Sequence, residues 1–245
     1  MLPLRDTVRS RHPPLALWVL IALNGLFFWL ELALSSARLE QFFYLFGVVP
    51  ARFAHPHWAA WEGFPHSYWP FLTSMFLHAG WLHILGNMWF LWIFGHAIED
   101  RMGPARFLVF YLLCGIVAGV VQVVTLPDAT VPTVGASGAI AGVMGAYLLM
   151  YPRARIIALV PIFFWPLFFE LPAVVFLGIW FVIQFWSGTL ALAGPQQVGG
   201  VAFWAHVGGF AAGMLLHPLF LIRRPRRRKP QADEWGIEGI WGRRK

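Results

Sequence analysis

Gly135-Ala136-Ser137-Gly138 opens an apolar run that continues through Ile140, Val143 and Met144 to Tyr151. The sixteen residues from Ala136 to Tyr151, rising ~1.5 Å each, give ~24 Å of helix against a hydrocarbon core of ~30 Å. The Ser137 end therefore lies beneath a membrane surface, at a depth where backbone can end only inside protein or beside a water-filled cavity. Later in the chain, Ala205-His206-Val207-Gly208-Gly209 begins another apolar run. A hydroxyl and an imidazole in membrane-length segments point to chemistry, because polar side chains in lipid are unfavourable unless they face protein or water. A serine alone reads more often as packing, since its hydroxyl can bond back to its own helix. The pair carries the signal.

Composition agrees with a membrane setting. Of the 245 residues, 59% are apolar and 12% charged, far from an average soluble domain. Six apolar segments of spanning or near-spanning length are read: Leu15 to Ala33, Gly80 to Ile98, Phe107 to Leu126, Ala136 to Tyr151, Pro172 to Leu192 and Val201 to Ile222. With six spans, 16 of the 18 Lys and Arg residues fall on one side, and only Arg38 and Arg52 on the other. By the positive-inside rule both termini are then cytoplasmic; an odd number of spans would scatter the charge. The expected architecture is an all-α, multi-pass integral membrane protein. A basic cytoplasmic N-terminus covers residues 1–14, a six-transmembrane-helix domain 15–222, and a polybasic cytoplasmic tail 223–245.

The first apolar run reads as a retained helix. It is too long for a signal-peptide core, contains Asn24 and Trp29, and leads to Arg38 and Glu40 with no compelling cleavage pattern. Residues 35–69 carry Phe42, Phe43, Tyr44, Phe46, Phe53, Trp58 and Trp61 among prolines and histidines, the pattern of an interfacial loop on the non-cytoplasmic side. Arg155 to Leu171, interrupted by Pro161, Pro166 and Glu170, is expected to lie along the cytoplasmic interface before feeding the fifth span. The cluster from Arg223 to Lys229 suits anionic lipid headgroups, although a plain topology signal is its simpler reading.

The net charge of +7 does not indicate nucleic acid, because the basic residues flank hydrophobic segments and form no aromatic-basic face. A single cysteine, Cys114, excludes an intrachain disulfide and a Cys-based metal site. His78 and His83 are five apart without a His-Glu-x-x-His pattern, so no zinc is expected.

Placed at a helix N-terminus, Ser137 would supply a nucleophile together with unpartnered backbone N–H donors for an oxyanion. His83 and Asn87, four apart on the second span, share a helix face and could add donors to the same oxygen; taken alone, they would read as helix glue. Gly138, Gly142 and Ala146 make a small-residue row on the fourth span, and Ala205, Gly209 and Gly213 make another on the sixth. Such rows let two backbones approach closely, bringing serine and imidazole within reach. Neither of these helices holds an Asp or Glu, so a Ser-His dyad is expected rather than a Ser-His-Asp triad.

These residues resemble the rhomboid family of intramembrane serine proteases. The resemblance rests on His78-Ala79-Gly80-Trp81-Leu82-His83-Ile84-Leu85-Gly86-Asn87, on Glu99-Asp100-Arg101-Met102-Gly103, on Gly135-Ala136-Ser137-Gly138 and on His206-Val207-Gly208-Gly209 through Gly213. It implies a rhomboid-like six-helix bundle with Ser137 as nucleophile and His206 as general base and then acid. Asn87, His83 and the Ser137 amide would form the oxyanion hole, with no metal or organic cofactor. The implied substrates are transmembrane proteins, reaching the site sideways from lipid past the fifth helix. The compact form is similar to that of prokaryotic members, which implies a plasma membrane. A catalytically inactive relative that binds transmembrane clients is the alternative, disfavoured because both Ser137 and His206 are present. Two positions depart from the family pattern. Trp69-Pro70 stands where many members have Trp-Arg, and Ala141 where an aromatic often stacks on the histidine.

Overall fold

Each of the six apolar segments becomes a helix, and proline or glycine marks most of their ends. The computed structural model describes residues 1–162, 165–192 and 201–222; the polybasic tail lies outside the described residues. In chain order the elements are β1 (Leu2–Asp6), α1 (Leu15–Leu32), α2 (Ser36–Phe46), α3 (Pro50–Ala54), α4 (Pro56–Trp61) and α5 (Pro70–Thr73). A 3-10 turn follows (Ser74–Phe76), then α6 (Trp81–Met102), α7 (Pro104–Thr125), α8 (Ser137–Met150), β2 (Arg155–Ile162), β3 (Trp165–Pro172), α9 (Ala173–Leu192) and α10 (Phe203–Phe220). Gly103, at φ 75°, separates α6 from α7, whose first residue is Pro104. Proline at that position forgoes an N–H that would have no helical partner.

Helices α1, α7 and α9 are each long and apolar enough to cross a membrane, whereas α8 is shorter, at 14 residues. Polar groups on α6 (His83, Asn87, His96, Glu99, Asp100) and on α10 (His206, His217) dilute their hydropathy. Helix α8 is buried on every side from Gly138 to Tyr147, which identifies it as the central helix. Helices α6, α7 and α10 pack around it. Its seam with α10 is backbone on backbone: Gly209 abuts the Gly138 carbonyl, and Gly213 abuts the Gly142 carbonyl. The outward faces carry large apolar side chains, among them Trp29, Val124, Ile183 and Trp186. So extensive an apolar surface suits lipid, not water.

The all-α expectation omits a three-stranded antiparallel sheet ordered β1-β2-β3. Asp6 pairs with Ile156 and Leu2 with Leu159, while Ile156 also faces Leu171 across the β2–β3 hairpin. Instead of lying as an irregular interfacial segment, residues 155–172 fold back on themselves. β-Branched and aromatic residues favour the pleated conformation, and Pro161 opposite Pro166 sits near the end of the paired stretch, where missing N–H groups do little harm. Ile156 and Ala158 are fully buried, whereas Arg155 and Glu170 face outward, 4.0 Å apart.

Strand β1 is fastened at the C-terminal end of α8. The Tyr147 hydroxyl donates to Asp6 Oδ2 (2.6 Å), and His96 Nε2 lies 3.2 Å from Asp6 Oδ1. The carboxylates near helix ends have structural partners. Glu99 accepts the Ala16 and Leu17 N–H groups at the start of α1 (2.9 and 2.8 Å), favourable because that end carries the positive pole of the helix dipole. Glu31 accepts the His78 N–H (3.2 Å).

Candidate active site

The segment leading to Ser137 is tied to protein rather than left to lipid. Val48 and Thr133 exchange two backbone hydrogen bonds (3.0 and 2.7 Å), Ala51 N–H donates to the Ala129 carbonyl (3.0 Å), and Gly135 N–H donates to the Ser74 carbonyl (2.8 Å). These bonds satisfy the irregular backbone, the condition for ending a helix at depth. Gly135 has φ 124°, and a Cβ there would lie 2.6 Å from His83 Nε2 and 3.5 Å from Asn87 Nδ2. Only glycine combines that conformation with so close an approach.

Ser137 opens α8 behind Ala136, which offers no capping side chain. The first N–H groups of the helix therefore stay open. Ser137 Oγ lies 2.7 Å from His206 Nε2, within hydrogen-bond reach. His206, on the second turn of α10, is held in register by Gln122 of α7, whose Oε1 accepts the Ala205 N–H (3.1 Å). The structure thus brings Ser137 and His206 together, and places His83 and Asn87 with them on the wall of one cavity of about 1010 Å³. His83 Nδ1 accepts the Ala79 N–H (3.4 Å), which leaves Nε2 as the protonated, donating nitrogen. Asn87 is buried, and its Nδ2 has no acceptor. In the connection before α6, burial and the neighbouring His83 hold His78 far below the usual imidazole range, at about 3, so it stays neutral at working pH. Gly138, Gly142, Gly209 and Gly213 form the α8–α10 seam behind the site. Among the described residues no cluster of three or more potential metal ligands occurs.

The structural roles of three residues in and around this region escaped the sequence reading. Gln184 of α9 is buried, and its Oε1 lies 2.7 Å from His206 Nδ1. Trp180, one turn earlier, has its ring 5.8 Å from that of His206 at 35°, so an aromatic from α9 lies against the imidazole where Ala141 cannot. A lone amide within a lipid-length segment was the available signal for Gln184. Arg52, buried beneath the first loop, donates to the carbonyls of Leu45, Pro65 and Ser67 (3.1, 2.8 and 3.4 Å) and lies 5.4 Å from the rings of both Phe53 and Phe64. It gathers the loop from within, in a chain that has Pro70 after Trp69.

A nucleophile bonded to a base, at a helix N-terminus with two further donors near it, is an arrangement suited to acyl transfer. The rhomboid domain model matches residues 65–223, well over half of the chain. The chain belongs to the rhomboid family. It is 32% identical over 127 residues to Rhomboid-like protein 11, chloroplastic, of Arabidopsis thaliana, covering 52% of this chain and 42% of that protein. It is 43% identical over 83 residues to the putative rhomboid protease YdcA of Bacillus subtilis (34% and 41% covered). With rhomboid protease GluP of the same organism it shares 42% identity over 81 residues (33% and 15% covered). The matched stretches span less than half the length of each of these relatives. The protein is an integral, multi-pass membrane protein.

Proposed function

We propose that this protein is an intramembrane serine endopeptidase, hydrolysing peptide bonds in or near transmembrane segments of membrane-protein substrates through Ser137 and His206. The observation that carries this reading is the 2.7 Å contact between Ser137 Oγ and His206 Nε2 within a large cavity of a rhomboid-family chain. Names of relatives that include "rhomboid protease" support it.

In this reading His206 Nε2 takes the hydroxyl proton as Ser137 Oγ attacks the scissile carbonyl carbon. Negative charge develops on the carbonyl oxygen, where the Ser137 N–H, His83 Nε2–H and Asn87 Nδ2–H donate. His206 then gives its proton to the leaving amine, the acyl-enzyme forms, and water repeats the cycle with the same base. No cofactor takes part. In this reading α1, α6, α7, α9, α10 and the shorter α8 all cross the bilayer, with both termini cytoplasmic; anionic headgroups are a candidate partner for the basic cluster from Arg223 to Lys229. The host is a prokaryotic plasma membrane.

Reconstituted in liposomes with a reporter transmembrane segment, the parent cleaves it, while Ser137→Ala and His206→Ala leave it intact at unchanged thermal stability. Equal cleavage by either variant overturns the assignment. A parent inert toward a broad panel of segments supports a client-binding, inactive relative instead.

A further inference from the structure

We propose that Gln184 is a positioning residue for His206, fixing the tautomer in which Nε2 is free to act as base. The proposal rests on the reading of Ser137 and His206 as the dyad. Gln184 Oε1 can only accept, so its contact with His206 Nδ1 places the ring proton on Nδ1 and leaves the Nε2 lone pair facing the Ser137 hydroxyl at 2.7 Å. Gln184 Oε1, at 2.7 Å from Nδ1, is the acceptor that stabilises that proton. Without it, the neutral ring is free to carry its proton on either nitrogen, and the Nε2–H form cannot take a proton from serine. No carboxylate stands on α8 or α10, and the partner of Nδ1 is this neutral amide. It orients the imidazole without placing a second charge in the membrane.

Both constraints on the ring come from one element. Trp180 lies against the ring while Gln184 bonds to it, four residues apart and so on one face of α9. The same face continues to α10 through Phe181 against Phe210 (4.9 Å) and through the Trp204 indole N–H, which donates to the Gly188 carbonyl (3.0 Å). On its other side α9 exposes Val182, Ile183, Trp186 and Leu190. The helix that orients the base is therefore packed on one face only. The productive tautomer belongs to the state in which α9 is seated on α10, and a shift of α9 releases the ring.

Gln184→Met preserves length and bulk while removing the acceptor, and Gln184→Glu retains an acceptor. With reporter in liposomes, Gln184→Met lowers kcat ~10²-fold at unchanged KM, the size of effect expected when a reacting group loses its alignment. Gln184→Glu recovers most of that loss. Independently of turnover, ¹⁵N-histidine NMR of the full chain in nanodiscs, with the His206 signal identified by its loss in His206→Gln, reports the tautomer. The parent shows protonated Nδ1, and Gln184→Met shows a mixture. An Nδ1-protonated parent that cleaves nothing leaves the positioning role standing and overturns the protease reading. A parent protonated on Nε2, or a Gln184→Met variant with parental tautomer and parental kcat, overturns the proposal. If Gln184→Met lowers the thermal midpoint, the kcat recovered by Gln184→Glu separates orientation from folding, and no recovery counts against the role.

Discussion

Asn87 keeps a buried amide donor without an acceptor, a disfavoured arrangement because an unpaired buried polar group forfeits its hydration. In the proposed chemistry that donor is spent on the oxyanion. Asn87→Ala should therefore lower kcat by ~10²-fold, as loss of other oxyanion donors does, without lowering the thermal midpoint; unchanged turnover would return Asn87 to a packing role. That Ser137, His206, His83 and Asn87 share one cavity was legible in the sequence because polar groups are rare in lipid-length segments and their spacing sets the helix face. Gln184 and Trp180 were not. Which face of α9 meets α10 is decided by side-chain fit between two helices that are both apolar nearly all round, so periodicity within α9 gives no direction.

The α8–α10 seam shows how small residues govern the placement of larger groups. Gly213 faces the Gly142 carbonyl so closely that a side chain has no room, and backbone cannot yield as a flexible side chain can. Gly213→Leu should destabilise the fold by about 3 kcal/mol, toward the upper end for overpacking, and pull Ser137 away from His206. By contrast, nothing lies within 4 Å of a Cβ built at Gly178 in α9. Gly178→Ala should raise stability by ~0.5–1 kcal/mol through the lower backbone entropy of the unfolded chain. Thermal midpoints in one detergent compare the two, and equal shifts would refute this account of the seam. The helices themselves were legible from apolar length, with ends displaced by a few residues. Helix α6 runs on through the charged Glu99-Asp100-Arg101 to Gly103, because Glu99 finds N–H donors on α1. The sheet was missed, since β1 has no pattern of its own and exists by pairing with β2.

Six crossings make a geometric claim that labelling can check. Glu62 and Glu170 are both exposed and fall on opposite sides of the membrane in the proposed topology. Because Cys114 is fully buried, a membrane-impermeant maleimide should ignore the parent in intact cells and label Glu62→Cys. Glu170→Cys should react only after permeabilisation, and labelling of both from one side would break the six-span arrangement. The proposed topology rests on charge distribution, which is read from composition alone. The anchoring of the first loop by Arg52 was not readable, because its three carbonyl partners are set by the folded course of the loop.

The pairing of Asp6 with Ile156 also imposes an order of events during synthesis. At ~5–20 residues per second, β1 leaves the ribosome on the order of ten seconds before its partner strand. In the proposed topology four helices enter the bilayer in that interval while the strand waits with its hydrogen-bonding edge open. Pro3 removes one donor from that edge and Arg5 adds charge, both of which discourage pairing with a foreign chain. The sheet is accordingly a latch that closes late, after insertion has committed most of the molecule to its final course.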